Sequence, residues 1–130
     1  RVARTVRCDS GSPGSRLDNL LVVDVEPMGA KTERVLELIE EEIRRLQTEL
    51  VMPDELAKSR TQIEAEFLWG IATNEGLAQQ LAYFQTVAGD WRYLVRHSAM
   101  IHGIGAEDLQ RVARRYLLST NRTVAELVKR

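Results

Sequence analysis

The hydrophobic and polar positions divide the chain into a front with short apolar runs, a long middle with helical spacing, and a short apolar tail. Apolar runs with the length of a β-strand lie near both ends of the chain. Between them, five segments have apolar residues three or four positions apart, which is the spacing of one helix face. The order β-β-α-α-α-α-α-β predicts an α+β fold, in which about five helices cover one face of an antiparallel sheet of about three strands.

Two β-type segments at the front predict a hairpin. Residues 2–8 alternate weakly between apolar and polar, and residues 20–25 form a β-branched run. The segment between them is rich in turn-forming residues, so we expect residues 9–18 to form a flexible hairpin loop. Pro27 and Gly29 are expected to end the second strand. Residues 122–128, which follow a Ser-Thr-Asn breaker and include the β-branched Thr123, Val124 and Val128, predict the third strand.

The first two helices are predicted from apolar spacing and from residues that start a helix. Thr32 is the expected N-cap of the first helix, which extends to about Leu50 with an apolar face and a charged face. Pro53 suits the first position of the second helix, which is expected to end near Thr73.

Three shorter helices are expected to follow. Asn74 can cap the third, and Gly89 stands where a left-handed residue would stop it. Asp90 is the expected cap of a fourth helix over residues 91–102, which Gly103 ends. Gly105 opens the fifth.

The composition is that of one ordinary globular domain. The 130 residues are 44% hydrophobic and 28% charged, with a net charge of −1. A chain of this length can bury a core without a disulfide or a structural metal, and its balance excludes the disordered, collagen-like and disulfide-rich classes. Cys8 is the single cysteine, so it closes no intrachain disulfide. It therefore does not indicate whether the protein is in an oxidising or a reducing compartment. No apolar run approaches the roughly 20 residues that cross a bilayer, so no membrane span is expected.

The start of the chain is unusual. It begins at Arg1, enters a strand-like segment at once, and has no Met before Met28. We therefore expect a piece of a longer polypeptide.

No catalytic residue, metal ligand or cofactor site is predicted in this chain. His97 and His102 are the only imidazoles, and five positions on a helix separate them by about 140°. Neither H-E-x-x-H nor H-x-x-E-H occurs. Cys8 has no partner nearby in sequence. The glycines of residues 10–15 lack the lysine and the strand-loop-helix context of a phosphate-binding loop.

Two surface features have residue types that are typical of binding sites. A small group of arginines on the predicted fourth and fifth helices could attract phosphate, but 19 carboxylates dilute its field, so nucleic acid is not an expected partner. These arginines are Arg92, Arg96, Arg111, Arg114 and Arg115. Trp91 and Tyr93 could form a platform on which a ligand stacks. A Trp just inside a helix start more often anchors the turn against the preceding helix, here through Phe84, and we expect that role.

Four blocks of the helical half, in this order and spacing, carry a family resemblance. They are Leu77-Ala-Gln-Gln-Leu-Ala-Tyr-Phe84, Gly89-Asp-Trp-Arg-Tyr-Leu94, Ile104-Gly-Ala-Glu-Asp-Leu-Gln-Arg-Val-Ala-Arg-Arg-Tyr-Leu117 and Asn121-Arg-Thr-Val124. Together they resemble the end of a domain of the pitrilysin/insulinase-type zinc metallopeptidases. Residues 24–50, followed by residues 53–60, resemble the strand and two helices that precede these blocks, so the resemblance covers nearly the whole chain.

The resemblance implies which half of such an enzyme this chain would be. Bacterial members have two homologous α+β domains that close around a chamber, and only the first has H-x-x-E-H and the zinc. The chain is similar to the latter half of the second, non-catalytic domain, residues 1–130 being a partial domain. Gly89, Asp90, Trp91 and Asn121 match as structural positions. No catalytic residue transfers, and the substrate-binding residues stay unknown, because the Tyr of the family's Arg-Tyr pair falls near Arg4.

The resemblance implies a function for the parent protein. This chain is expected to help form the substrate chamber of a zinc metalloendopeptidase, with the zinc in the parent and none in this chain. The expected partners are a catalytic domain, in the same protein or in a partner subunit, and a peptide substrate. Self-association through an exposed strand edge is also expected. The alternative is a non-proteolytic partner or assembly subunit of the processing-peptidase type. The bacterial type is compatible with periplasm or cytoplasm.

Overall fold

The computed structural model describes residues 2–12 and 19–127 as a hairpin followed by five helices. The strands are β1 (Ala3–Ser12) and β2 (Leu20–Pro27), and the helices are α1 (Thr32–Thr48), α2 (Pro53–Gly70), α3 (Asn74–Val87), α4 (Tyr93–Gly103) and α5 (Ala106–Tyr116). A short 3-10 helix over Ser119–Asn121 follows. The α+β class and the five helices are confirmed.

The prediction of a third strand is wrong, since the sheet of the described residues consists of β1 and β2 alone. Residues 122–127 have no regular secondary structure, and Val128 lies outside the described residues. Arg122 has the extended backbone angles of a strand, but a strand also needs a neighbour. The tail is held by side chains instead. Arg122 bonds Glu40, and the hydroxyl of Thr32 donates to Glu126.

The hairpin is antiparallel, with Val6 opposite Val25 and Cys8 opposite Val23. The pairing is regular from Thr5 to Ser10, and register shifts flank it on both sides. β1 is longer than predicted, because residues 9–12 of the expected loop belong to it. The rest of that loop, residues 13–18, lies outside the described residues. After β2, Gly29 has a φ of +77°, a left-handed angle that Gly adopts without strain.

The helix starts differ from prediction by one or two residues. Lys31 and Thr73 are the N-caps of α1 and α3, so Thr32 and Asn74 are first helical residues. Thr73 accepts the bond that the cap needs, from the Gly76 N–H at 3.0 Å. Pro53 is the first residue of α2, as predicted. Two helices end earlier than expected, α1 at Thr48 and α2 at Gly70.

The chain divides into two compact units. The first contains the hairpin, α1, nearly all of α5 and the tail. Its buried apolar side chains are Val35 of α1 and Ala113 of α5, which are also the only buried ones among the described residues. Gln47 joins the two helices, because its Nε2 donates to the carbonyls of Leu117 at 2.7 Å and Ala113 at 3.4 Å.

The second unit contains α2, α3 and α4. Gly76 lies at the close approach between the end of α2 and the start of α3, where a Cβ would come within 2.1 Å of the Gly70 carbonyl oxygen. Among the residues placed by the structure, no helix has the length and apolarity needed to cross a membrane.

Candidate functional site

The second unit holds a cluster of polar side chains between α2 and α4. It is made of Arg60, Glu64, His97, Ser98 and His102, and is called the α2–α4 cluster below. Glu64 is at its centre, with a side chain that is 28% exposed. His102 Nε2 lies 2.9 Å from Glu64 Oε1, and the Ser98 hydroxyl donates to the same oxygen. Helix geometry explains the arrangement, because Ser98 and His102 are four residues apart and share one face of α4.

The cluster stabilises the charged form of Glu64. The hydrogen bond from Ser98 is the largest influence on its pKa, and the positive potential of His102 adds to it. Partial burial acts in the opposite direction, but the net effect is a pKa below the ordinary 4.5. Glu64 is therefore a carboxylate at neutral pH and acts as an acceptor for α4.

The two histidines have different neighbours. His97 stacks on Phe67 of α2, with ring centroids 4.0 Å apart and planes 10° from parallel. Its Nδ1 and the Nε of Arg60 are both buried, and neither has a hydrogen-bond partner among the described residues. The Nη2 of Arg60 donates a hydrogen bond to the Ile104 carbonyl. Stacking and hydrogen bonding thus join α2 to α4 along the length of the cluster.

The cluster is not arranged for nucleophilic catalysis. A Ser nucleophile needs a base that accepts its proton and is itself oriented by a third group. Here the Ser98 hydroxyl points at a carboxylate, and His102 bonds that same oxygen rather than Ser98. Within residues 2–12 and 19–127, no three His, Cys, Asp or Glu side chains are grouped so as to hold a metal ion. The residues present therefore do not fit a zinc site.

The turn between α3 and α4 contains three of the four positions predicted to be structural. Gly89 has a φ of +76°. Asp90 Oδ1 accepts the Arg92 N–H at 3.0 Å, which is the main reason that the pKa of Asp90 lies below its usual 3.8. Gln85 ties the turn to α3, because its Nε2 donates to the Gly89 carbonyl and its Oε1 accepts the Trp91 N–H, both at 3.3 Å.

Trp91 and Tyr93 have different surroundings. Tyr93 stacks on Phe84 with centroids 6.5 Å apart. Trp91 lines an open groove of about 400 Å³ with Leu81 and Gln85, and the Arg92 guanidinium lies 5.1 Å from its ring centroid. The ring that stacks on Phe84 is therefore that of Tyr93, whereas the sequence predicts Trp91.

Asn121, the fourth predicted structural position, closes the end of α5. Its Nδ2 donates to the Tyr116 carbonyl at 3.2 Å, and its own N–H donates to the Leu118 carbonyl at 3.0 Å. The arginines of α5 have partners inside the first unit. Arg111 pairs with Asp108 at 2.9 Å, and Arg114 Nε donates to the Gln47 carbonyl.

Sequence reasoning missed Arg60, Glu64 and Ser98 as members of one cluster. The available signal was positional, because Arg60, Glu64 and Phe67 are spaced by four and three residues on one face of α2. The sequence did not indicate that α4 would be the helix that meets this face.

A large share of the apolar side chains is exposed. Trp69 is 77% exposed, Val95 71% and Met52 68% in the second unit, and Val6 and Leu20 are each 62% exposed in the hairpin. Isolated exposed apolar residues are normal in soluble proteins. It is unusual, however, that only two apolar side chains among the described residues are buried.

Comparisons with solved structures decide the fold. The chain superposes on a candidate zinc protease from Bordetella pertussis Tohama I with a TM-score of 0.79 at 20% identity, over 99% of this chain and 70% of that one. It matches the inactive peptidase domain of a candidate zinc protease from Bordetella parapertussis with a TM-score of 0.76 at 21% identity, over 98% and 70%. The chain has a zinc-protease-like fold.

A third structure, a protease from Helicobacter pylori, matches with a TM-score of 0.76 at 20% identity. The match covers 93% of this chain but only 29% of the Helicobacter chain, so this chain spans less than a third of that protein. No protein-family model matches the sequence, and no curated protein matches it. The likeness at these identities concerns the fold.

Proposed function

We propose that this chain is the non-catalytic portion of a zinc metalloendopeptidase of the pitrilysin/insulinase type, and that it helps to form the chamber that holds a peptide substrate. A separate domain with H-x-x-E-H cleaves the peptide bond, with two His on zinc and the Glu as general base. The observation that carries the proposal is the match of 98% of the chain to a structure described as an inactive peptidase domain.

The residues of the chain support the non-catalytic role. The sequence contains two histidines, five positions apart, so H-x-x-E-H cannot be assembled from them. Glu64, whose carboxylate lies against the His102 imidazole, is already engaged by Ser98 and His102 in joining two helices. Zinc in the parent protein is therefore assigned to the other domain.

The exposed apolar side chains support a role inside a larger assembly. Trp69, Val95 and Val6 would each be buried by a neighbouring domain, and burial of such side chains is worth about 1.5–3 kcal/mol each. The expected neighbour is the catalytic domain, either in the same polypeptide or in a partner subunit.

Two measurements test the proposal. The purified chain is dialysed extensively and its zinc is counted by mass spectrometry, with less than about one zinc in ten chains expected. It is then mixed with the H-x-x-E-H protein from the same or the adjacent reading frame, and hydrolysis of quenched fluorescent peptides is followed. The chain alone is expected to be inactive and the mixture more active than the H-x-x-E-H protein alone.

Each result has a clear meaning. One tightly held zinc per chain would overturn the non-catalytic assignment. An H-x-x-E-H protein that binds the chain but cleaves peptides equally well without it would overturn the chamber role. Reading frames with no H-x-x-E-H, together with a stable inactive complex, would replace the proposal with the alternative of a non-proteolytic assembly subunit.

A further inference from the structure

The outer edge of β1 has no neighbouring strand among the described residues, where the sheet consists of β1 and β2. Its regular section runs from Thr5 to Ser10, between the two register shifts. No Pro interrupts this section, so its outward N–H and C=O groups are available to a further strand.

The two faces of the hairpin differ in chemistry. Because side chains alternate along a strand, Val6 and Cys8 lie on one face with their partners Val25 and Val23. This face is apolar and exposed, with Val6 at 62% and Val23 at 39%. Arg7 and Asp9 lie on the other face. A strand added to β1 has to continue the apolar face and also match these charges.

We propose that the β1 edge binds β1 of a second copy of this chain, antiparallel, about a two-fold axis through Cys8. In this register, Arg7 of each copy lies opposite Asp9 of the other, which forms two reciprocal opposite-charge pairs. The two hairpins become one four-stranded sheet with a continuous apolar face, and the interface closes as a symmetric dimer.

The charges select this register. If the apolar faces of the two hairpins are to lie on the same side of the sheet, the two-fold axis must pass through a residue that lies directly opposite the same residue of the second copy. An axis through Arg7 opposes two arginines, and an axis through Asp9 opposes two aspartates. An axis through Val6 places Arg7 opposite Thr5, so neither Arg7 nor Asp9 meets an opposite charge in the second copy. Only the axis at Cys8 pairs Arg7 with Asp9 in both directions.

The β2 edge is a poorer candidate for pairing with itself. Its charged residues are Asp24 and Glu26, both acidic, and Pro27 ends the strand. Two copies of β2 can therefore form no opposite-charge pair, and Pro27 cannot donate a backbone hydrogen bond.

Sedimentation velocity over a range of concentrations tests the dimer. The chain is expected to pass from 14.8 kDa to twice that mass, and to stop there. Asp9→Arg is expected to raise the dissociation constant at least about tenfold, because two opposite-charge pairs become like-charge pairs. Asp9 faces Val22 in its own hairpin, so the change breaks no charge pair inside one chain. Glu41→Arg, an equal change of charge at an exposed site on α1, is the control and is expected to leave dimerisation unchanged.

A complementary variant separates loss of pairing from loss of folding. Arg7→Asp/Asp24→Arg keeps an opposite-charge pair across the hairpin but places a carboxylate at position 7, opposite Asp9 of the second copy. Alone, this double variant is expected to remain monomeric. Mixed with Asp9→Arg, it is expected to form heterodimers, since both opposed positions then have opposite charges.

Cross-linking of Cys8 tests the register. The exposed Cys8 thiols of two copies lie next to the axis, so a short bismaleimide is expected to join them. In Cys8→Ser/Ser10→Cys the new thiol lies opposite Val6 of the other copy, and little cross-linking is expected. A wild-type chain that stays at 14.8 kDa at all concentrations, or equal cross-linking of the two proteins, would overturn the proposal. Growth beyond the dimer would also overturn it, since it indicates open-ended pairing of β1 with β2.

Discussion

His102 Nε2 lies 2.9 Å from Glu64 Oε1 and joins the end of α4 to the middle of α2. The Ser98 hydroxyl donates to the same oxygen, and together these contacts keep the pKa of Glu64 below 4.5. The folded chain therefore binds this proton less tightly than the unfolded chain does. The resulting stabilisation is fully present above pH 4.5 and is lost as the pH falls through the lowered value.

Glu64→Gln is accordingly expected to lower the melting temperature at pH 7, with a difference from wild type that shrinks once the pH falls below 4.5. Thermal unfolding followed by circular dichroism from pH 7 to about pH 3 measures this. Glu66→Gln is the control, because it lies on the same helix and keeps an oxygen that can accept from Gln62. A difference between Glu64→Gln and wild type that is independent of pH would contradict the assignment.

Gly76→Ala is expected to destabilise the chain by about 2 kcal/mol, because its Cβ would overlap the Gly70 carbonyl oxygen at 2.1 Å and the backbone must shift. Urea denaturation measures the change. Gly70→Ala supplies the control, since its Cβ meets nothing within 4 Å. It is expected to leave the free energy of unfolding unchanged or to raise it by up to about 1 kcal/mol. Equal stabilities of the two variants would show that the helices do not approach each other here.

Sequence reasoning located the helices because helix signals are local. Pro53 begins α2, and apolar spacing predicted each of the five segments. The errors of one or two residues at the starts have a local cause as well. Thr32 and Thr73 are both capable caps, and the structure uses Thr73 but places Thr32 inside α1, where its hydroxyl bonds Glu126.

The parts that the sequence did not predict depend on contacts between distant residues. The tail after Asn121 has strand-forming residues, but its side chains bond α1 and none of its described residues joins a sheet. Glu64 and Ser98 are 34 residues apart, so no spacing rule brings them together. Helix geometry explains why Ser98 and His102 share one face of α4, whereas their shared acceptor on α2 depends on the tertiary fold.

Gln47→Ala is expected to lower the free energy of unfolding by about 1–2 kcal/mol, because the Leu117 and Ala113 carbonyls lose the side-chain amide that bonds them. Guanidinium denaturation measures the loss. Gln79→Ala changes the same side chain at an exposed position of α3 and is expected to stay within about 0.5 kcal/mol of wild type. A loss of equal size in both variants would mean that Gln47 does not join α1 to α5.

Gly89→Ala is expected to cost about 1–2 kcal/mol, because a Cβ is strained at a φ of +76° although the surrounding space is open. Gly89→Asn is expected to cost less, since Asn tolerates the left-handed conformation. Gly103→Ala is the control, because this glycine also has open space but no positive φ. Urea denaturation of the three variants should rank Gly103→Ala as the most stable and Gly89→Ala as the least. Any other order would remove backbone conformation as the reason for glycine at the end of α3.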